Sequence, residues 1–169
     1  MSDAPIEVRP AGPADAPAVE RVLAASYGTL LSRDYPPDLL RAALPVMTRA
    51  NPALLSSGTY HVAVLSGAVV GCGGWTLATP GRPDVPPDPA HGHVRHFATD
   101  PAVLRHGVGR ALLERCRAEA TAAGVARLEC WSTLTARPFY EALGFRAVGP
   151  IDVELPGVRF PGVRLILAL

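Results

Sequence analysis

The stretch Leu104-Arg105-His106-Gly107-Val108-Gly109-Arg110 follows a β-rich run that stops at Asp100-Pro101 and opens an apolar-periodic segment starting at Val108. A loop that turns into the first turn of a helix leaves successive backbone N–H groups without intrahelical acceptors, pointing outward. Glycine at positions 107 and 109 keeps Cβ atoms off the approach path. Arg105 and Arg110 add positive charge where the helix dipole already favours an anion. The segment therefore reads as a phosphate cradle. A dinucleotide fold would need a third glycine where Leu112 stands and a strand directly before the first, whereas Asp100 to His106 intervene. Glu129 stands where such a fold carries its ribose acid, and we read that as coincidence.

From Val108 the helix is expected to run to about Ala123, with Val108, Ala111, Leu112, Cys116 and Ala120 inward and Gly124 closing it. His93 to Thr99 is a strand before the cradle and Ala126 to Trp131 one after it. A short helix over 136–143, capped by Gly144, leads to strands near Phe145–Val148, Ile151–Leu155 and Val163–Leu169, with a final hairpin around Gly157 to Gly162. Upstream, Ile6–Pro10 reads as a short strand. Helical stretches follow from Pro13 to Tyr27 and from Pro36 onward, the latter interrupted by Pro45 and ending near Pro52. His61–Leu65 and Ala68–Thr76 flank Ser66-Gly67 as an antiparallel hairpin, whose second strand Gly71, Gly73 and Gly74 are expected to weaken. Leu77 to Ala90, with Pro80, Pro83, Pro86, Pro87 and Pro89, is a loop long enough to form a rim or lid. Alternation of strands and helices implies one α/β (α+β) domain over residues 1–169, a mixed sheet with helices on its faces.

Composition narrows the chemistry. A chain of 169 residues with 49% hydrophobic and 18% charged residues can bury a core and fold alone. A formal charge of +1 gives no footprint for nucleic acid or an anionic membrane. Sixteen arginines and no lysine exclude Schiff-base and P-loop lysine chemistry. No G-x-S-x-G elbow supports a serine hydrolase. Cys72, Cys116 and Cys130 lack paired spacing and read as reduced, buried thiols. The N-terminus is not leader-like, and no segment reaches ~18 uncharged apolar residues, so a cytoplasmic protein without membrane association is expected.

The segment Leu104-x-x-Gly107-x-Gly109 resembles the phosphate motif Q/R-x-x-G-x-G/A of the GNAT acyltransferase superfamily, with Leu104 in the first position and Arg105 beside it. A second match is Ala136-Arg137-Pro138-Phe139-Tyr140-Glu141-Ala142-Leu143-Gly144-Phe145, similar to the superfamily's A-x-x-F-Y-x-x-x-G-F. The resemblance implies a mostly antiparallel sheet of about six to seven strands with a splayed central pair, His93–Thr99 and Ala126–Trp131. It implies acetyl-CoA as acyl donor and direct transfer to a primary amine of a small molecule, amino acid or peptide N-terminus. Phe97, Ala98 and Thr99 would pair with pantetheine, with a main-chain N–H near Thr99 as oxyanion donor. Arg105, His106, Gly107, Val108, Gly109 and Arg110 would hold the pyrophosphate.

Tyr140 corresponds to the family's general acid. Thr133 or Thr135 replaces a frequent asparagine at a pantetheine contact. His93 is the first candidate for the base, because it stands where some relatives carry a glutamate and an imidazole titrates near ~6.5. His96 is the second, although strand alternation puts it on the opposite face from His93 and Thr99. His91 and His93 share a face, but no third ligand is evident, so no metal is assigned. Acceptor choice is expected to depend on Tyr27–Tyr35, the strand ending at Trp75, the proline-rich loop and the last hairpin. Asp34, Asp38, Asp84 and Asp88 are available there to attract a cationic amine. The apolar run Val163–Leu169 suits edge pairing in a homodimer. The alternative from another class is a catalytically silent acyl-CoA-binding sensor or interaction module.

Overall fold

The computed structural model describes residues 4–169. Its elements are β1 (Glu7–Pro10), α1 (Ala16–Leu30), α2 (Pro37–Met47), α3 (Pro52–Leu55), β2 (Tyr60–Leu65), β3 (Ala68–Thr76), β4 (His91–Thr99), α4 (Val108–Ala122), β5 (Arg127–Thr133), α5 (Arg137–Ala142), β6 (Arg146–Leu155) and β7 (Val158–Ala168). The strands form one seven-stranded sheet in the order β1-β2-β3-β4-β5-β7-β6. All neighbours are antiparallel except β4 and β5.

Apolar periodicity places the helices. Val19, Val22, Leu23 and Ser26 of α1 are buried at helical spacing, and the three apolar ones pack with Tyr60, Val62 and Cys72 on one sheet face. Asp15 prepares this helix by accepting from the Gly12 N–H at 2.8 Å and from both Arg9 guanidinium nitrogens at 3.0 and 2.9 Å. On the opposite face Val108 and Leu112 of α4 pack on Ala63 and Val70, and Leu113 and Cys116 on Trp75, Leu128 and Cys130. Glu119 clamps α4 to the sheet, facing His61 Nε2 at 2.9 Å and accepting from Trp75 Nε1 at 3.2 Å. The three cysteines are buried and free.

The centre of the sheet departs from regularity in two ways that make the site. β4 and β5 pair only from His91↔Arg127 to His93↔Glu129, and beyond these residues they diverge. Between β3 and β4 the register slips from Cys72 to Gly74, and His96 takes a φ of 53°, which marks a bulge in the middle of β4.

Several expectations are corrected. Val163–Leu169 is not an edge: it belongs to β7, hydrogen-bonded to β5 on one side and β6 on the other. The edge on that side is β6, which runs through the expected gap at Gly149-Pro150 as one continuous strand with a register shift between Ala147 and Gly149. Pro150 is tolerated because an edge strand has one hydrogen-bonding side to spare. Helix α2 runs through Pro45 to Met47. Among the described residues no helix is long and apolar enough to cross a membrane.

The glycines of β3 do more than weaken it. A Cβ on Gly74 would collide with the Thr59 carbonyl oxygen and approach Tyr60 Cα at 2.5 Å, both backbone atoms of the neighbouring strand and its lead-in. Gly74→Ala is therefore expected to destabilise the fold by about 2 kcal/mol or more, read as a lowered Cm in denaturant unfolding. An unchanged midpoint would show that β2 and β3 separate without cost.

Candidate active site

Helix α4 begins from Gly107, whose φ of 84° is the left-handed conformation that glycine adopts without strain. Its carbonyl accepts from Ala111 N at 2.9 Å, so the N–H groups of Val108, Gly109 and Arg110 have no acceptor within the helix. Gly109 sits at a seam: a Cβ there would lie 2.9 Å from Phe139 Cζ and 3.7 Å from Thr99 Oγ1. The Val108 side chain is buried in the core, so only its backbone faces the cradle. Arg105 and Arg110 are exposed beside it, Arg110 sharing its charge with Glu114 at 3.9 Å. His106 Nδ1 donates to the Leu104 carbonyl at 3.1 Å and shapes the approach loop.

Divergence of β4 and β5 opens two cavities, of about 490 and about 210 Å³. The smaller reaches the cradle and is lined by Phe97, Ala98, Thr99, Leu104, Gly109 and Thr135 among others. The larger lies between the bulge of β4, Trp131 of β5 and the end of α2. Tyr27, Phe97, Thr133, Ala136 and Tyr140 line both. At the bulge, Tyr60 Oη donates to the His96 carbonyl and Tyr27 Oη to the Phe97 carbonyl, each at 2.9 Å. Those contacts hold the backbone of β4 at its bulge, and beyond His93 no strand pairs with its β5 side.

Tyr140 is placed by α5. The Ala136 N–H donates to Thr133 Oγ1 at 3.0 Å, which starts the helix, and the Tyr140 ring meets Phe97, Phe139 and Phe145 edge-on at centroid distances of 6.3, 5.0 and 5.4 Å. Burial raises its phenol well above the ordinary value, so the hydroxyl keeps its proton. Thr135 Oγ1 donates to Asp34 at 2.8 Å at the rim of the smaller cavity.

The histidines are rearranged relative to expectation. The bulge breaks alternation, so it is His96 that lines the larger cavity, and His93 does not. His96 Nε2 lies 2.7 Å from the Met47 carbonyl and donates to it, which leaves Nδ1 as its acceptor nitrogen. Burial lowers its pKa, so the ring is neutral near pH 7. His93 is buried at the base of the divergence, its Nε2 3.4 Å from Thr79 Oγ1 and its Nδ1 without a partner. Burial pushes its pKa down to about 4, far from the ~6.5 that made it attractive as a base.

Parallel pairing also brings Glu129 beside His91 and His93, so that one donor atom from each lies within 4.8 Å of the others. The expectation that no third ligand stands near the histidine pair is thereby corrected. The carboxylate is already engaged: Oε1 accepts from Arg164 at 2.7 Å and from His91 at 3.1 Å, and Oε2 accepts from Trp131. Burial would raise Glu129, but Arg164 and Trp131 donating to it hold it below its ordinary value. This is a charge network that locks β4, β5 and β7 together below the cleft.

None of the four aspartates expected to attract an amine lines the larger cavity. Asp34 accepts from Thr135, Asp38 pairs with Arg41, Asp84 with Arg82, and Asp88 with Arg127. Trp75 faces α4 and Glu119 instead of the cleft. The cavity carries Arg49 and Arg95, which the sequence reading passed over. The available signal was an arginine in the middle of a strand at the centre of the sheet.

A family model described as an acetyltransferase (GNAT) domain matches residues 56–147, more than half of the chain. The chain belongs to the GNAT acetyltransferases. It is an acyltransferase, and acetyl-CoA is the donor that this family uses. Among solved structures, it resembles a GCN5-related N-acetyltransferase from Rhodopseudomonas palustris at 22% identity, covering 100% of this chain and 99% of that one with a TM-score of 0.81. It resembles the PaiA N-acetyltransferase from Thermoplasma acidophilum in complex with coenzyme A at 13% identity, with full coverage of both chains and a TM-score of 0.73. A ribosomal-protein-S18-alanine N-acetyltransferase from Escherichia coli matches at 17% identity over 97% of this chain and 94% of that one, with a TM-score of 0.65. At these identities the likeness is one of fold. No match was found among curated proteins.

The residues of this GNAT domain fit coenzyme A: a strand without a partner on its β5 side leads to free helix N–H groups, past Gly109, where any Cβ would fill the seam. Gly109→Val is expected to weaken coenzyme A binding by about tenfold or more, measured by calorimetry on protein whose circular dichroism is unchanged. Unaltered affinity would put the pyrophosphate elsewhere.

His93 sets a pH dependence of stability. The folded protein holds it neutral down to about pH 4, whereas the unfolded chain takes up its proton near ~6.5. Stability is complete above that range and falls as pH falls through it, by roughly 3 kcal/mol for the full shift. Denaturant unfolding of His93→Asn between pH 7 and 4.5 is expected to give a slope shallower by about one proton, His96 retaining part of the dependence. A slope equal to that of the wild type would sink this assignment.

Proposed function

We propose that this GNAT acetyltransferase moves the acetyl group of acetyl-CoA directly to a primary amine, with Tyr140 as general acid. The observation that carries the reading is the position of Tyr140 as a shared wall of both cavities, between the cradle side and the acceptor side.

Acetyl-CoA supplies an acetyl group activated as a thioester. The main-chain N–H groups at Val108, Gly109 and Arg110 bind the pyrophosphate, with Arg105, His106 and Arg110 adding donors and charge around Gly107. The free edge of β4 at Phe97, Ala98 and Thr99 pairs with pantetheine, and an N–H of that edge is the oxyanion donor. Thr135 borders the same arm of the cleft. The phenol of Tyr140, kept protonated by burial, hands its proton to the departing sulfur. His96 is better supported than His93 as the group that takes the proton of the amine. It borders the acceptor cavity, is neutral, and has its tautomer set by the Met47 carbonyl.

Tyr140→Phe is expected to lower kcat by about 100-fold while coenzyme A affinity changes by less than about twofold. Thiol release with a panel of primary amines and binding calorimetry read the two effects separately. Full turnover in the phenylalanine variant would remove Tyr140 from the proton path.

A further inference from the structure

Arg95 is a half-buried cation in the acceptor cavity with no acid beside it. It lies on β4 opposite Gly74; burial lowers its pKa, and a guanidinium in a protein keeps its charge. Among the described residues its one side-chain hydrogen bond is from Nη1 to Thr76 Oγ1 at 3.0 Å. The Thr76 hydroxyl donates in turn to the Ala78 carbonyl at 3.0 Å, so its lone pair is directed at the guanidinium and orients it. Among the described residues no carboxylate lies within ion-pair distance of Arg95, and no Asp or Glu lines the cavity. Exposed Arg49 at the mouth adds charge of the same sign.

A guanidinium withdrawn from water with most of its N–H donors unused is costly unless an anion completes it. The planar fork matches a carboxylate in bidentate geometry. The same charge repels polycations, for which the cavity offers no compensating acid. Opposite Arg95, Trp131, Val153, Leu155 and Phe160 form an apolar wall that suits a hydrocarbon body between the charged ends.

We propose that Arg95 binds the carboxylate of the acceptor, so that the acceptor is a molecule bearing both a primary amine and a carboxylate, of the amino-acid class, and not a polyamine. The inference rests on the acetyl-transfer reading above and assigns the chemical class of its second substrate.

The test pairs amino acids with their carboxamides, alongside putrescine and spermidine, as acceptors for the full-length protein with acetyl-CoA. An acid is expected to exceed its own amide by about 30-fold or more in kcat/KM, chiefly through KM, with the polyamines poorer still. Arg95→Gln should bring acid and amide within about threefold of each other, and Arg95→Lys should restore part of the preference. In parallel, calorimetry with coenzyme A present compares N-acetyl amino acids with their amides, a readout that needs no turnover. Wild-type protein should bind the acids about tenfold tighter or more, and Arg95→Gln should lose that margin while still binding coenzyme A. Coenzyme A binding with no preference between acids and amides, or a preference that survives Arg95→Gln, overturns the proposal. Failure to bind coenzyme A at all overturns the acetyl-transfer reading instead, while acid binding lost in Arg95→Gln would still support the carboxylate site.

Discussion

β4 and β5 hydrogen-bond at His91–His93 and then part, and the site is built on what that parting leaves behind. Elsewhere the interior satisfies its backbone groups through the sheet ladder, as a buried chain must. Here β4 has no strand on its β5 side beyond His93, and Tyr60 and Tyr27 take up its His96 and Phe97 carbonyls. Because the gap is central, helices from both faces reach it. α4 presents its free N–H groups at one end, α5 presents Tyr140 across the middle, and α1 and α2 wall the far side.

Two carboxylates hold the geometry, one on each face. Glu119 ties α4 to β2 and β3 through His61 and Trp75, and Glu129 ties β5 to β4 and β7 through His91 and Arg164. Both are drawn inward and matched by several donors, which is the condition under which a buried charge is tolerated. Arg95 lacks such matching. Its guanidinium faces the cavity with a threonine hydroxyl as its protein partner, so the charge balance of the cleft is completed from outside.

Much of the architecture was legible because it depends on local pattern. Glycines at 107 and 109 before an apolar-periodic run marked the start of α4, and Phe139-Tyr140 followed by Gly144-Phe145 marked α5 and its exit. Strand alternation was right for most of the sheet and failed at β4. One bulged residue shifts the alternation of everything after it, so His96 comes to line the larger cavity, where a regular strand would have turned it to the face opposite His93. The last strand was misjudged as an edge because apolar character does not distinguish a strand with two neighbours from a strand with one.

The sequence by itself determined the order of elements, the cradle at the head of α4 and the tyrosine of α5, because helix starts, turns and amphipathic periods are encoded within a few residues of one another. Only the tertiary structure decided which charges face the larger cavity. Asp34, Asp38, Asp84 and Asp88 are turned to local partners, Glu129 arrives beside His91 and His93 through parallel pairing of distant strands, and Arg95 is left facing the cleft. The physical reason is that the net charge of a cavity is set by strand register and by pairing between segments far apart in the chain, neither of which is fixed by neighbours in sequence.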